Sequence, residues 1–410
     1  MTQEPTIKWI ESPSGITDVP GFRAGATACD IRENGGDRLD CALLWSDTPA
    51  TCAGVFTTHD LPAAPVQLCR NRLDQNSLFR GCVVNSGNAN ACTGAQGLAN
   101  ADEMAHLTAQ TMRVRSEEIL VCSTGRIGRQ LPMENISRGI GHLPTQLNTR
   151  AKNGQAAAHA ILTSDTRPKT ATIKLALPDG PVTIAGMAKG AGMIEPNMAT
   201  MLCFLATDAN LPPSSLQAAL KSAVEPTFNS ITIDGDMSTN DTVLLFANGQ
   251  NSPQLSESSE GWKHFMDALQ KVCAHLAKNI VLDGERVTKC VELSVEHASC
   301  RADAERVARA VGNSLLVKTS WFGNDPNWGR IADAAGYAKA GLQENKLDIF
   351  YDEVAAVLSG VPQEQNREQW KAIACKPEFR ITIRVNNGNE STQLLATDLT
   401  EGYVQFNKSE

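Results

Sequence analysis

Lys189-Gly-Ala-Gly-Met-Ile-Glu-Pro-Asn-Met-Ala199-Thr200 runs straight into Met201-Leu-Cys-Phe-Leu-Ala206, and this junction decides how the chain is read. Upstream, Lys189 and the glycines Gly186, Gly190 and Gly192, with Pro196 and Asn197, compose a loop: glycine takes backbone conformations closed to other residues, and Pro and Asn favour turns. Downstream, the continuous apolar run predicts a short buried strand. Thr200 stands at the boundary, preceded by the small Ala199. A hydroxyl in that position can attack the carbonyl before it and break the chain between Ala199 and Thr200, which would free an N-terminal threonine. Such a threonine carries its own base. An α-amino group titrates near ~7.7–8.0 and lysine near ~10.4, so at neutral pH part of the amine is unprotonated and accepts the proton of its own hydroxyl. The same threonine also fits a strand-capping residue in a tight glycine turn, and the local sequence alone does not overturn that description.

Working outward, Ile173, Leu175 and Leu177 alternate with their neighbours, Pro178-Asp-Gly180 turns the chain, and Val182 and Ile184 resume the alternation. This predicts a hairpin leading to Lys189. Gly81–Val84 and Ile119–Cys122 read as short strands followed by loops, the first from Asn85 and the second at Ser123-Thr-Gly125. Phe265, Leu269, Val272, Leu276 and Ile280 recur at helical spacing, and Val307 and Val311 line a helix ending at Gly312. Ile381, Ile383 and Val385 followed by Asn386-Asn-Gly388 give a second hairpin signal. These patterns predict a mixed α/β fold with antiparallel pairing.

The composition, 42% hydrophobic and 20% charged over 410 residues, is that of a globular chain with enough length for two or three domains' worth of core. A net charge of −8 argues against a nucleic-acid partner, because neutralising phosphates needs a basic face. The N-terminal stretch Met1–Ile10 has neither a basic leader nor an apolar core, and no apolar run approaches the ~18 residues of a membrane span. A cytoplasmic protein without membrane association is expected. The twelve cysteines are scattered with no C-x-x-C spacing, so they are expected to be small buried hydrophobes rather than zinc ligands or disulfides. Cys122 and Cys203 stand near the elements of interest, and inhibition by thiol reagents is an expected side effect. Asp234, Asp236, Ser238 and Asn240 imitate a calcium loop, but Thr239 occupies the position that needs Gly and Leu245 the one that needs Glu. No metal site is expected. Lys189-Gly190 reverses the order of a phosphate-binding loop, and neither H-E-x-x-H nor G-x-S-x-G occurs. The seven dispersed histidines suit a catalyst whose base is an amine.

The segment from Lys189 to Thr200-Met-Leu resembles the self-cleavage motif of the ornithine acetyltransferases, the glutamate N-acetyltransferase family of arginine biosynthesis. Further blocks similar to that family are Gly21-Phe-Arg-Ala-Gly25, Ala63-Ala-Pro65, Asn85-Ser-Gly-Asn-Ala-Asn-Ala-Cys-Thr-Gly94, Ser123-Thr-Gly125, Asp234-Gly-Asp236, Ser238-Thr-Asn-Asp-Thr242, Leu316-Val-Lys-Thr319 and Asp325-Pro-Asn-Trp-Gly-Arg330. They follow the family's order along the chain. The resemblance implies a layered α/β sandwich split by autoproteolysis into an α chain, 1–199, and a β chain, 200–410, assembled as an α2β2 heterotetramer.

It also implies roles. Thr200 would be the nucleophile and would also contact substrate. Thr124 and Gly125 would form the oxyanion hole, whose donors commonly contribute roughly 2.7–4 kcal/mol each. Lys189 would hold a substrate carboxylate and Glu285 an ammonium, orienting N-acetylornithine or glutamate; Thr166 and Asn407 would complete the binding set. The acetyl group would pass from N-acetylornithine to Thr200 and then to glutamate by a ping-pong route with no bound cofactor or metal, and some members also take acetyl-CoA as a co-substrate. Two features depart from the pattern. Arg286 and Val287 follow Glu285 where the family has small residues, adding bulk and charge at the amine end. The chain also stops at Lys408-Ser409-Glu410 where the family continues to a Tyr and a final Ser or Thr, so no residue is assigned that last contact. The nearest rival is an autoproteolytic amidase or aminopeptidase in which water resolves the acyl-enzyme; a farther one is an uncleaved amino-acid-binding protein.

Overall fold

A computed structural model describes residues 6–177, 180–195, 201–250 and 255–408. The chain forms two compact units by interleaving its segments: the first holds residues 6–190, 201–229 and 237–280, the second 191–195, 230–236 and 281–408. Among the described residues no helix is long and apolar enough to cross a membrane.

The first unit contains nine described strands: β1 (Thr6–Trp9), β2 (Phe22–Thr27), β3 (Cys41–Phe56), β4 (Phe79–Asn88), β5 (Ile119–Arg126), β6 (Lys169–Leu177), β7 (Gly180–Lys189), β8 (Leu202–Thr207) and β9 (Thr242–Ala247). Their order is β1-β6-β7-β8-β9-β3-β4-β5, with β2 on the other side of β3. The sixteen-residue β3 serves two neighbourhoods: Cys41–Trp45 pair with β2 and β4, and after a register shift Thr51–Phe56 pair with β9.

Period-two alternation then sorts the side chains into layers. Leu44, Cys82, Val84 and Leu120 share one core with Leu202, Phe204, Leu244 and Phe246, so the two parts of the sheet pack face to face. Leu43, Val83 and Val121, one residue out of phase, pack against Met104 and Ala105 of helix Gly94–Met112 and Ile136 and Ile140 of helix Met133–Gln146. On the far side, Gly186 of β7 lets Leu276 of helix Trp262–Leu282 approach; a Cβ there would lie 2.9 Å from its Cδ1. The result is a helix, sheet, sheet, helix sandwich, the layered α/β architecture expected, with the predicted hairpin present as β6 and β7.

The second unit is built on β10 (Cys290–Ala298), β11 (Asp348–Tyr351), β12 (Val354–Leu358), β13 (Val361–Pro362), β14 (Glu378–Arg384) and β15 (Glu390–Thr397), in the order β13-β12-β11-β14-β10-β15. Helix Arg301–Gly312 presents Ala304, Val307, Ala308 and Val311 to Val291, Leu293, Val295 and Leu394.

Three expectations need correction. Ser123-Thr-Gly125 and Asn85–Asn88 are not loops: β4 and β5 stay paired in parallel through Asn85↔Ser123, Ser86↔Thr124 and Gly87↔Gly125 before the register slips. Lys189 and Gly186 likewise belong to β7, whose pairing with β8 runs to Lys189↔Leu202, so the loop begins only at Gly190. The C-terminal hairpin is split: β14 and β15 flank β10, parallel to one and antiparallel to the other. The turn between them straddles the end of β10, donating the Asn387 and Gly388 N–H groups to the His297 carbonyl at 2.8 and 2.9 Å. Local turn chemistry predicts a reversal of direction but not whether a third strand occupies the gap.

Candidate active site

Thr200 and Ala199 lie outside the described residues, but the strand they lead into is defined. Leu202 pairs with Lys189 on one side and Thr242 on the other, and the Thr242 N–H donates to the Met201 carbonyl at 3.0 Å. The start of β8 is therefore framed by the end of β7 and the start of β9.

On the β7 side, Lys189 belongs to a buried ionic group. Asp165 lies 2.6 Å from the Lys169 Nζ and 3.9 Å from the Lys189 Nζ, with side-chain exposures of 0%, 0% and 8% for the aspartate and the two lysines. The carboxylate also accepts the Gly190 N–H at 2.7 Å and the Thr163 N–H at 3.1 Å. Burial pushes the Asp165 carboxyl up, but the charges of Lys189 and Lys169, the Lys169 hydrogen bond and the Gly190 N–H outweigh it and bring it down to about 2. Thr166, beside Asp165 in the chain, is exposed. Lys189 is thus a fixed, desolvated cation, the form in which a lysine binds a carboxylate at least entropic cost.

On the β9 side, Asn240 donates to the Ala89 carbonyl at 2.6 Å and the Ser123 carbonyl at 2.8 Å, tying β9 to the residue before Thr124. Thr124 and Gly125 sit where the β4–β5 pairing slips, a bulge of the kind that re-aims backbone groups beside active sites. Gly125 has φ of +134°, and a Cβ there would meet the Gly87 carbonyl carbon at 2.3 Å. Only glycine fits. Gly125→Ala is expected to destabilise the protein by about 1–3 kcal/mol, read as a lower urea midpoint, together with loss of activity. Next to Asn240, Asp241 is 2% exposed, and burial holds its carboxyl well above the usual range against the opposing pull of the Met201 N–H, the Thr57 and Ser238 hydroxyls and the charge of Lys189.

In the second unit, Glu285 follows helix Trp262–Leu282 in a turn, its N–H donating to the Ala191 carbonyl at 2.8 Å. Its carboxylate lies against Gly192, where a Cβ would come within 2.4 Å of Oε1, and it accepts the Asn407 amide at 3.2 Å. Asn407 closes the helix Glu401–Asn407, which Thr400 caps by accepting the Tyr403 N–H at 3.1 Å. The structure thus joins two of the predicted binding residues directly. Arg286 does not crowd Glu285's contact with Asn407: its guanidinium stacks on Phe406 with the carbon 5.4 Å from the ring centre.

The segment after Gly190 is held by the second unit. Asp234 accepts the Met193 and Ile194 N–H groups at 2.6 and 2.7 Å, the Ile233 N–H donates to the Ile194 carbonyl at 2.8 Å, and Glu195 pairs with Arg309. This is the use of the Asp234-Gly-Asp236 block, and among the described residues no cluster suits a metal ion. Lys318 donates to the Thr397 carbonyl at 2.6 Å in the same region. Burial pushes its pKa from 10.5 to about 8, against the opposing pull of Asp234, Asp398 and Glu195. Between pH 8 and 10.5 the unfolded chain then holds a proton that the folded lysine has released, so stability rises with pH across that window. Lys318→Met is expected to remove about 3 kcal/mol of that rise, measurable by urea unfolding at both ends.

Cys122 and Cys203 are fully enclosed, and burial raises both thiols well above their usual range. The expected sensitivity to thiol reagents therefore does not arise from them. Native labelling is expected to reach only the exposed Cys92, Cys300 and Cys375, the other nine reacting after denaturation, as mass spectrometry would count.

Sequence reasoning assigns no role to Asp165, Lys169, Asp241 or Lys318, and takes Asp234 only as part of a calcium-loop imitation. Asp234, Asp241 and Lys318 stand inside the quoted family blocks and Asp165 beside Thr166, which was the one available signal; their pairing across strands was not.

A layered α/β sandwich with a buried lysine and a buried carboxyl framing the head of a strand is the scaffold, and the comparisons give its class, an acetyltransferase of amino-acid biosynthesis. The ArgJ family model matches residues 23–409. A relative from Geobacter sulfurreducens is 45% identical over 95% of this chain and 98% of its own, and one from Symbiobacterium thermophilum is 42% identical over 98% and 99%; both are named arginine biosynthesis bifunctional protein ArgJ. A crystallised ornithine acetyltransferase from Mycobacterium tuberculosis, in complex with ornithine, is 37% identical over 47% of this chain and 99% of its own, with a TM-score of 0.43. The chain belongs to the ArgJ family, the bifunctional ornithine acetyltransferases and glutamate N-acetyltransferases of arginine biosynthesis.

Proposed function

We propose that this enzyme transfers acetyl from N-acetylornithine to glutamate through an acetyl-threonine at Thr200, freed by self-cleavage after Ala199. The observation that carries the reading is the register at the head of β8, where the residue pair Lys189↔Leu202 sets a buried cation beside the strand that Thr200 leads into. In the first phase the Thr200 hydroxyl attacks the Ala199 carbonyl, an N-to-O acyl shift gives an ester, and water releases chains 1–199 and 200–410. In the second, the Thr200 hydroxyl gives its proton to its own amine and attacks the acetyl carbonyl, while Thr124 and Gly125 stabilise the oxyanion. Ornithine leaves with that proton, and glutamate takes the acetyl group in turn. Lys189 takes the substrate carboxylate, Glu285 the ammonium, and Thr166 and Asn407 supply neutral contacts.

The reaction is assigned no bound cofactor or metal, with acetyl-CoA as a second donor where glutamate is acetylated directly. The assembly is an α2β2 heterotetramer in the cytoplasm, as suits a biosynthetic family. Intact mass under denaturing conditions, before and after N-acetylornithine, tests the reading: two fragments are expected, the second gaining one acetyl group that glutamate removes. Acetyl lost equally fast without glutamate would instead make the enzyme a hydrolase, and one 44 kDa species would end the self-processing mechanism.

A further inference from the structure

We propose that Arg32, Arg38 and Arg126 form a subsite for the phosphates of acetyl-CoA, the second acyl donor, an inference that rests on the function proposed above and concerns the first unit alone. Separate stretches of chain meet at the end of the β4–β5 pair. Arg32 lies across Gly87, where a Cβ would stand 2.9 Å from its Cγ and 3.4 Å from its Nε. Gly87 pairs with Gly125, and Asn88 with Arg126. The Ala89 N–H donates to the Arg126 carbonyl at 2.9 Å, and the Asn88 amide donates to the Arg129 carbonyl at 3.3 Å. Two residues after Arg38, the Asp40 carbonyl accepts the Ser86 N–H at 2.8 Å. The Ser86 hydroxyl in turn donates to the Ala160 carbonyl at 2.7 Å, and Arg38 Nη2 donates to the Leu162 carbonyl at 2.6 Å. Arg167 follows in that last stretch, and all five arginines are exposed.

The composition of this rim selects phosphate. Every base within residues 30–40, 85–91, 123–130 and 160–168 is an arginine, whose planar fork meets phosphate oxygens two at a time. Of the five acids in the same stretches, Asp30 accepts the Asn34 and Gly35 N–H groups at 2.9 and 3.1 Å, Asp40 accepts those of Cys29 and Ile31 at 2.6 and 2.7 Å, and Asp165 lies buried against Lys169. Glu33 and Asp37 remain, so the rim stays positive on a chain whose net charge is −8 and draws anions to this end of the sheet. A substrate carboxylate already has Lys189, desolvated on β7. Exposed arginines carried on several stretches span more than one carboxylate, and their openness to water suits the charged handle of a large donor, which stays outside while its acetyl end enters. N-acetylornithine and glutamate carry no phosphate, so the rim acts on one donor only.

The test uses the full-length enzyme and reads binding as well as turnover. By isothermal titration calorimetry the wild type is expected to bind CoA, to release it to adenosine 3′,5′-bisphosphate but not to pantetheine, and to bind it more weakly as salt is raised. Arg32→Gln and Arg38→Gln are each expected to raise the Kd for CoA and the KM for acetyl-CoA about five- to tenfold, the range of exposed and charge-assisted contacts, with KM for N-acetylornithine and glutamate unchanged. Arg126→Gln, which removes no bond to the Leu162 carbonyl, is expected to act in the same direction and serves if Arg38→Gln fails to fold. Unaltered CoA affinity in the variants, CoA that adenosine bisphosphate does not displace, or no CoA binding by an enzyme active with N-acetylornithine overturns the proposal. A rise in KM for glutamate instead would give the arginines to the acceptor carboxylate and overturn it equally. CoA displaced by adenosine bisphosphate from an enzyme inactive with N-acetylornithine would defeat the functional reading and leave the subsite standing.

Discussion

Thr200→Ala is expected to yield one uncut 44 kDa chain with no acetyl adduct and a transfer rate lower by roughly 10⁶-fold, the scale seen when a covalent nucleophile is removed. The reason is chemical and applies twice, because in the proposed mechanism the same hydroxyl opens the chain and then carries the acetyl group. Thr200→Ser keeps the hydroxyl and is expected to be cut more slowly, separating loss of the nucleophile from damage to the loop. In the wild type the two fragments should separate only under denaturing conditions. The sheet that would hold them is continuous across the break: β7 pairs with β8 over Ile184↔Thr207 to Lys189↔Leu202, and β3 with β9 over Thr51↔Ala247 to Phe56↔Thr242. Size-exclusion chromatography in native buffer should therefore show one peak containing both chains; two native peaks would mean that these pairings do not hold the fragments.

Asp165→Ala is expected to be the most destabilising single change in the first unit, by about 3–5 kcal/mol. It removes the 2.6 Å partner of Lys169, whose side chain is wholly buried, and the carboxylate 3.9 Å from Lys189. The charge of a buried lysine left without that carboxylate cannot reach water. The wild type should show the linkage in acid. The folded carboxyl titrates at about 2 and the unfolded one at 3.8, so its contribution of about 2 kcal/mol is complete above 3.8 and lost as pH falls through 2. Urea unfolding at pH 7 and pH 3 would measure both, and Asp165→Ala should be less sensitive to that change. In whatever fraction stays folded, KM for glutamate should rise, because Lys189 loses the group that holds it in place. An Asp165→Ala protein as stable as the wild type at pH 7 would show that the lysines are solvated.

The elements that were legible are those whose signal is periodic and local. The helix through Phe265, Leu269, Val272, Leu276 and Ile280, the β6–β7 hairpin and the apolar strand after Thr200 all announce themselves through the spacing of apolar residues, which short-range geometry enforces. The loops assigned at Ser123-Thr-Gly125 and from Asn85 were misread because polar and glycine residues suggest turns, whereas β4 and β5 satisfy each other's backbone groups there and the glycines permit close approach. The C-terminal hairpin failed for a related reason: Asn386-Asn-Gly388 specifies a turn, and the partner of each strand depends on where β10 lies.

By itself the sequence determined the α/β class, the family and the threonine at the head of an apolar strand, since these rest on residue identity and nearest-neighbour spacing. Tertiary structure alone decided that Lys189 is locked to Asp165 and Lys169, that Asn240 ties β9 to the residue before Thr124, that Asn407 meets Glu285, and that Asp241 is buried beside the start of β8. Apart from Lys169–Asp165, four positions apart, those contacts join residues 24 to more than 100 positions apart, and the energy of a buried charge depends on what surrounds it in space, which no local pattern records.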